Sequence, residues 1–217
     1  MAGIDLYCER LGPGLLAEPV NAVTNGAFLL AAWQLQRLAR RNGNHDRGVL
    51  ALAALALAIG IGSSLFHTFA TAWALAADVL PILLFQLVFL LLYLRRQLGL
   101  EQPAALGLCL AFLLACLAVR GLPPLLNGSL VYAPTLAVLA LLGWHQLRRQ
   151  GSWLLAGAAG VFSLSLLLRS LDNALCPLWP VGTHLFWNLL NAAVLVLSGQ
   201  ALVRAGRNNG AISAVRR

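Results

Sequence analysis

Residues 48–69 read GVLALAALALAIGIGSSLFHTF, and after a short turn residues 75–95 read LAADVLPILLFQLVFLLLYLR. The first stretch holds no Asp, Glu, Lys or Arg, and the second holds only Asp78 near its start and Arg95 at its end. An uncharged apolar run of about 18 residues or more is long enough to cross the hydrocarbon of a bilayer as a helix. Two such runs joined by a turn are a transmembrane hairpin. Working outward, comparable runs occupy 20–37, 104–120, 126–147, 152–171 and 182–203, so the sequence predicts seven spans joined by short connections. The expected fold is an all-α membrane protein, a seven-transmembrane helix bundle forming a single domain over 1–217.

Composition agrees. Apolar residues make up 60% of the 217 and charged residues 10%, with a mean hydropathy of +0.80. A net charge of +8 would suggest a nucleic-acid partner in a water-soluble chain. Here the basic residues, all arginine, fall in short clusters between apolar runs and form no stripe, so no nucleic acid is expected. Arg37, Arg40, Arg41, Arg47, Arg95, Arg96, Arg148, Arg149, Arg204, Arg207, Arg216 and Arg217 share one side of the predicted topology, against Arg10, Arg120 and Arg169 on the other. Basic residues are retained on the cytoplasmic side, which places the C-terminus in the cytoplasm and, with an odd number of spans, the N-terminus outside. Nothing ahead of the first span has the form of a signal peptide. Cys8 and Cys176 then lie on the same non-cytoplasmic side, where a disulfide between them is expected, while Cys109 and Cys116 sit inside a span.

Ionisable residues inside a span cost several kcal/mol and are functional candidates by default. His67 ends the second span, Asp78 begins the third and His184 begins the seventh, all at the outer level, with Glu18 close to the first span. Ser63 lies one helical turn before His67 on the same face, and Asn188 one turn after His184. Two imidazoles with a carboxylate and a hydroxyl suit a divalent metal, zinc first, although the residues alone leave hydrogen-bonded packing histidines equally open. Asn21 and Asn25 continue a polar stripe from Glu18 and read as inter-helix hydrogen bonders, Arg169 and Asp172 as a local ion pair, and His45 and His145 as interfacial groups at the basic ends. The glycines before His67, Gly60 and Gly62, allow close helix approach. No internal repeat points to a transporter.

These motifs together resemble the alkaline ceramidase family, within a wider superfamily of seven-span membrane hydrolases. The resemblance rests on Tyr7-Cys8-Glu9, Glu18-Pro19-Val20-Asn21 with Asn25, Gly62-Ser63 with Phe66-His67, Asp78-Val79-Leu80-Pro81, Asp172 with Cys176, and Gly182-Thr183-His184 with Trp187. It implies a zinc-dependent lipid amidase that cleaves the N-acyl bond of a ceramide-like substrate to a fatty acid and a sphingoid base. His67 and His184 would be zinc ligands, Asp78 would position or deprotonate the water, and Ser63 would hydrogen-bond the developing oxyanion. The family's third ligand would be a histidine where this chain has Asn188. Three readings stay open: an introduced substitution, a natural site that Asp78 completes, or a catalytically impaired lipid-binding receptor or sensor of the same fold. An acidic N-terminal segment that binds calcium (Ca2+) in animal members is matched in part by Asp5, Glu9 and Glu18, with Arg10 and Leu11 intruding. All-arginine basic usage amid abundant alanine and leucine suggests a bacterial inner membrane, with the site facing the periplasm.

Overall fold

The computed structural model describes residues 4–10, 12, 14–41 and 46–215, with side chains described as far as residue 203; His45, Leu11, Arg216 and Arg217 lie outside the described residues. It is helical throughout, with no strand among the described residues. In chain order the helices are α1 (Pro19–Thr24), α2 (Gly26–Arg41), α3 (Arg47–Phe69), α4 (Ala72–Arg96), α5 (Gln102–Arg120), α6 (Ala133–Gln150, entered through a 3-10 turn at Ser129–Tyr132), α7 (Leu154–Leu175) and α8 (His184–Val215). Six helical stretches are long and apolar enough to cross a membrane: α3, α4, α5, the 3-10 turn with α6, α7, and α8 as far as Val203.

The region expected to form the first span, 20–37, is divided into two consecutive helices instead of one. The break has a local cause. Asn25 turns its backbone N–H to the carbonyl of Val23, while its side-chain amide donates to the Asn21 carbonyl at 2.9 Å, the acceptor that a continuing α-helix would have used for that N–H. Short polar side chains compete with the helix ladder in this way.

Each helix from α2 to α8 packs on the next, and α8 returns to pack on α2, so the elements close into a ring. Short connections between antiparallel neighbours dictate this order. α1 lies inside one end, against α3 and α8. The ring's outer surface carries Leu29, Trp33, Leu57, Leu84, Leu114 and Leu141, all exposed. Such a continuous apolar exterior is what a lipid-facing surface requires.

One contact fixes the α3–α4 pair. A Cβ on Gly62 would fall on the carbonyl oxygen of Ala77, so only glycine permits this backbone approach. That carbonyl is also the one whose i+4 partner is Pro81, inside α4, which has no N–H to give. The two helices are therefore in close backbone contact beside Ser63 and Asp78.

Candidate active site

At the end of the ring where α3 finishes and α8 begins, the polar side chains are buried together. His67 and His184 are 1% and 2% exposed, and their ring centroids lie 5.1 Å apart. Tyr7 stacks on His184 with centroids 3.5 Å apart and stands 5.4 Å from His67. Ser63, a turn below His67, lies beside the carboxyl of Asp78. The structure therefore brings together His67, His184, Ser63 and Asp78, which are distributed over three helices.

Asn188 is wholly buried one turn below His184. Its amide nitrogen donates to the Asn21 carbonyl at 3.1 Å and to the Thr24 hydroxyl at 3.0 Å. A carbonyl can only accept, so the nitrogen must face α1, and the Asn188 Oδ1 is left buried without a partner. The Nδ1 of His184 is in the same state. A buried polar atom without a partner costs about 1–3 kcal/mol, and both atoms are donors a metal ion accepts. Among the described residues no three His, Cys, Asp or Glu side chains stand close enough to hold a metal by themselves.

His67 has its own support. Its Nδ1 lies 2.5 Å from Glu18 Oε2. Arg10 Nε lies 2.5 Å from the other Glu18 oxygen, and Arg10 Nη2 donates to the His67 carbonyl at 2.9 Å. Burial raises the Glu18 pKa, but hydrogen bonds and charge from His67 and Arg10 outweigh it and hold this carboxyl below its ordinary value. An ionised carboxylate only accepts, so Nδ1 carries the proton and Nε2 is left for another partner. A histidine held by a carboxylate through one nitrogen is the usual arrangement behind a metal-binding imidazole. Glu9 spends both oxygens on the backbone N–H groups of Val20 and Asn21, at 2.7 and 2.8 Å. Asp5 is exposed, so the three acids considered for calcium have three different surroundings.

The predicted disulfide between Cys8 and Cys176 is present, with Cα atoms 5.5 Å apart. The expected ion pair between Arg169 and Asp172 is not. Asp172 instead accepts three backbone N–H groups, from Cys8 at 2.9 Å, Thr183 at 2.6 Å and His184 at 2.9 Å. The loop can close this tightly because Gly182, at φ +70, would otherwise drive a Cβ into the Asp172 carboxylate. Arg169 turns the other way, donating to the Asn127 carbonyl at 2.7 Å and to the Ser129 hydroxyl at 3.0 Å. Its guanidinium lies 5.3 to 5.7 Å from the rings of Tyr7, Tyr132 and Trp187.

Beneath the histidines lies an apolar cavity of about 80 Å³, lined among others by Phe28, Ile59, Phe85, Phe112, Phe162 and Trp187. Trp187 belongs to both parts, since it lines the cavity and lies parallel to His184 at 6.4 Å. A polar cluster thus caps an apolar chamber inside a lipid-facing bundle. A family model described as Ceramidase matches residues 8–197.

The chain belongs to the ceramidase family.

Membership agrees with a polar cluster set over an apolar pocket: the family's name denotes hydrolysis of ceramide, and such a substrate is a lipid amide. No curated protein matches the chain. The residues that sequence reasoning left unassigned are Arg10, which read only as an intrusion in an acidic segment, and Tyr7, whose ring covers His184. Glu18 was visible as an acid beside a span. Its partner His67, 49 positions away, carried no signal that linked the two.

Proposed function

We propose that this chain is a zinc-dependent intramembrane hydrolase that cleaves the N-acyl bond of a ceramide-like lipid. In this reading it spans the bilayer seven times as one domain, with the N-terminus and the active site on the non-cytoplasmic side, the periplasmic side of a bacterial inner membrane. The observation that carries the proposal is the pair of imidazoles over the apolar chamber, flanked by Asp78, Ser63 and the unpartnered Asn188 Oδ1.

The donor set fits zinc. His67 offers Nε2 with its other nitrogen already satisfied, His184 is buried with an unpaired nitrogen, and Asn188 Oδ1 is a third, weaker donor. Charge points the same way. This end of the bundle holds the carboxylates of Glu9, Glu18, Asp78 and Asp172 against the guanidiniums of Arg10 and Arg169. Two positive charges are lacking, and a divalent cation would supply them where bare charge is costly. Zinc held here would polarise an amide carbonyl and make water a nucleophile near neutral pH.

The chain's own residues supply the rest. The chamber takes the acyl tail and sets the amide at the histidines. Asp78 accepts a proton from the attacking water and passes it to the amide nitrogen as the C–N bond breaks, which releases the amine and a carboxylic acid. Ser63 hydrogen-bonds the oxygen on which negative charge develops. The seven-span topology is supported by α1 and α2 together, which run from Pro19 to Arg41, about 33 Å at 1.5 Å per residue. It also places the arginine clusters at one end.

The test is metal content by elemental mass spectrometry with hydrolysis of a fluorescent ceramide, for this chain beside Asn188→His. One zinc and measurable turnover in the wild type are expected, with tighter zinc in the variant. Absence of zinc from both proteins would overturn the hydrolase reading in favour of a lipid-binding receptor.

A further inference from the structure

Residues 7 to 10 are consecutive, and each is fastened to a different part of the bundle. Tyr7 stacks on His184 of α8, Cys8 is bonded to Cys176 at the end of α7, Glu9 accepts from the first turn of α1, and Arg10 reaches the last turn of α3. Of the four, Arg10 is the one that ties Glu18 to the His67 backbone. Its guanidinium, buried with the carboxylate it meets, bridges Glu18 and the main-chain carbonyl of His67. That carbonyl belongs to the same residue whose ring receives the other Glu18 oxygen. Asn21 adds a donor to Glu18 at 3.2 Å. The carboxylate is thus held from both sides, and the His67 ring and backbone are held with it.

We propose that Arg10 is a positioning residue of the hydrolytic site, a built-in cation that fixes Glu18 against His67 Nδ1 and so presents Nε2 of that ring toward His184. The physical argument is one of geometry in a medium that penalises loose charge. Without the guanidinium, Glu18 would be a buried carboxylate with one neutral amide and one imidazole for company, and it would leave His67 for water. Arginine suits the task because its planar fork serves two acceptors at once, a carboxylate oxygen and a carbonyl, whereas the ammonium of lysine is a single point charge. The assignment rests on His67 being a ligand, as proposed above, but the state of its ring can be read without any metal.

The experiment uses the full-length protein in lipid nanodiscs, as wild type, Arg10→Ala and Arg10→Lys. In ¹⁵N-histidine spectra of metal-free protein, the His67 signal is assigned by its loss in His67→Gln. The wild type should show the tautomer protonated at Nδ1, and Arg10→Ala should lose it. Zinc affinity, by competition with a chelator, should fall about 10- to 100-fold in Arg10→Ala, the usual cost of removing support behind a ligand. Methylguanidinium at millimolar concentration should restore both the tautomer and most of the affinity, and Arg10→Lys should be intermediate. Should Arg10→Ala fail to fold, Arg10→Lys carries the test through the same two readouts. Wild-type tautomer in the variant, or a folded Arg10→Ala that methylguanidinium leaves unchanged, would overturn the assignment. A wild type with the expected tautomer but no zinc would instead remove the hydrolase reading and leave the Arg10–Glu18–His67 linkage standing.

Discussion

Glu18 answers to two partners at once, a guanidinium that is always charged and an imidazole that must be held in one tautomer. Its folded pKa is depressed, because the hydrogen bonds and charges of His67 and Arg10 exceed the opposing effect of burial. A depressed carboxylate stabilises the fold above its unfolded pKa, and this contribution disappears as pH falls through the lower folded value. The wild type should therefore lose stability below the ordinary glutamate value of 4.5. Glu18→Gln should be less stable near neutrality and flatter across the acid range, which thermal unfolding between pH 7 and pH 3 would reveal; parallel curves for the two proteins would contradict it. At this scale the sequence was informative about identity and silent about partnership. His67, Asp78 and His184 could be read as candidates because each is an ionisable group in apolar surroundings. That Asp172 accepts three backbone N–H groups and leaves Arg169 to aromatic rings could not be read, because spacing along α7 favoured the local ion pair and the competing donors come from Cys8 and the Gly182 loop.

Helices α3 and α4 show how a pair of elements can set catalytic geometry. Gly62 packs directly against the Ala77 carbonyl, one residue from each of Ser63 and Asp78. Gly62→Ala would place a methyl group on that carbonyl and force the helices apart. The expected result is a loss of about 1–3 kcal/mol in stability and a fall in kcat on the order of 100-fold, as for a displacement of about 1 Å at a reacting group. A variant with wild-type kcat would show that the close contact serves packing alone. The sequence reading anticipated helix approach at the glycines, since a residue without a side chain lets a neighbouring helix come close. It missed the break between α1 and α2. Hydropathy averages over the Asn21–Asn25 region, whereas the break arises from one side-chain amide occupying one backbone carbonyl.

On the scale of the molecule, the closed ring and its chamber follow from the order of apolar runs and the shortness of their connections, both legible from composition. The size of the chamber is not, because it depends on how far bulky side chains such as Phe85, Phe112 and Phe162 fall short of filling the ring. Val194 lies on its wall and is buried. Val194→Trp should shift selectivity toward shorter acyl chains, at about tenfold in kcat/KM for every two methylenes excluded, given about 0.8 kcal/mol each. Equal losses across a chain-length series would argue that the tail lies elsewhere. The fastening of residues 7 to 10 has a further meaning for biogenesis. Tyr7 finds its stacking partner on α8, and Cys8 finds its sulfur partner at 176, a sequence separation of 168. A nascent chain therefore carries the first half of its active site through most of translation with nothing to complete it. Only when the final helix has been inserted and the two thiols have been joined can the opening segment take up the contacts that it makes in the finished fold, so this end of the bundle is the last part of the molecule to be assembled.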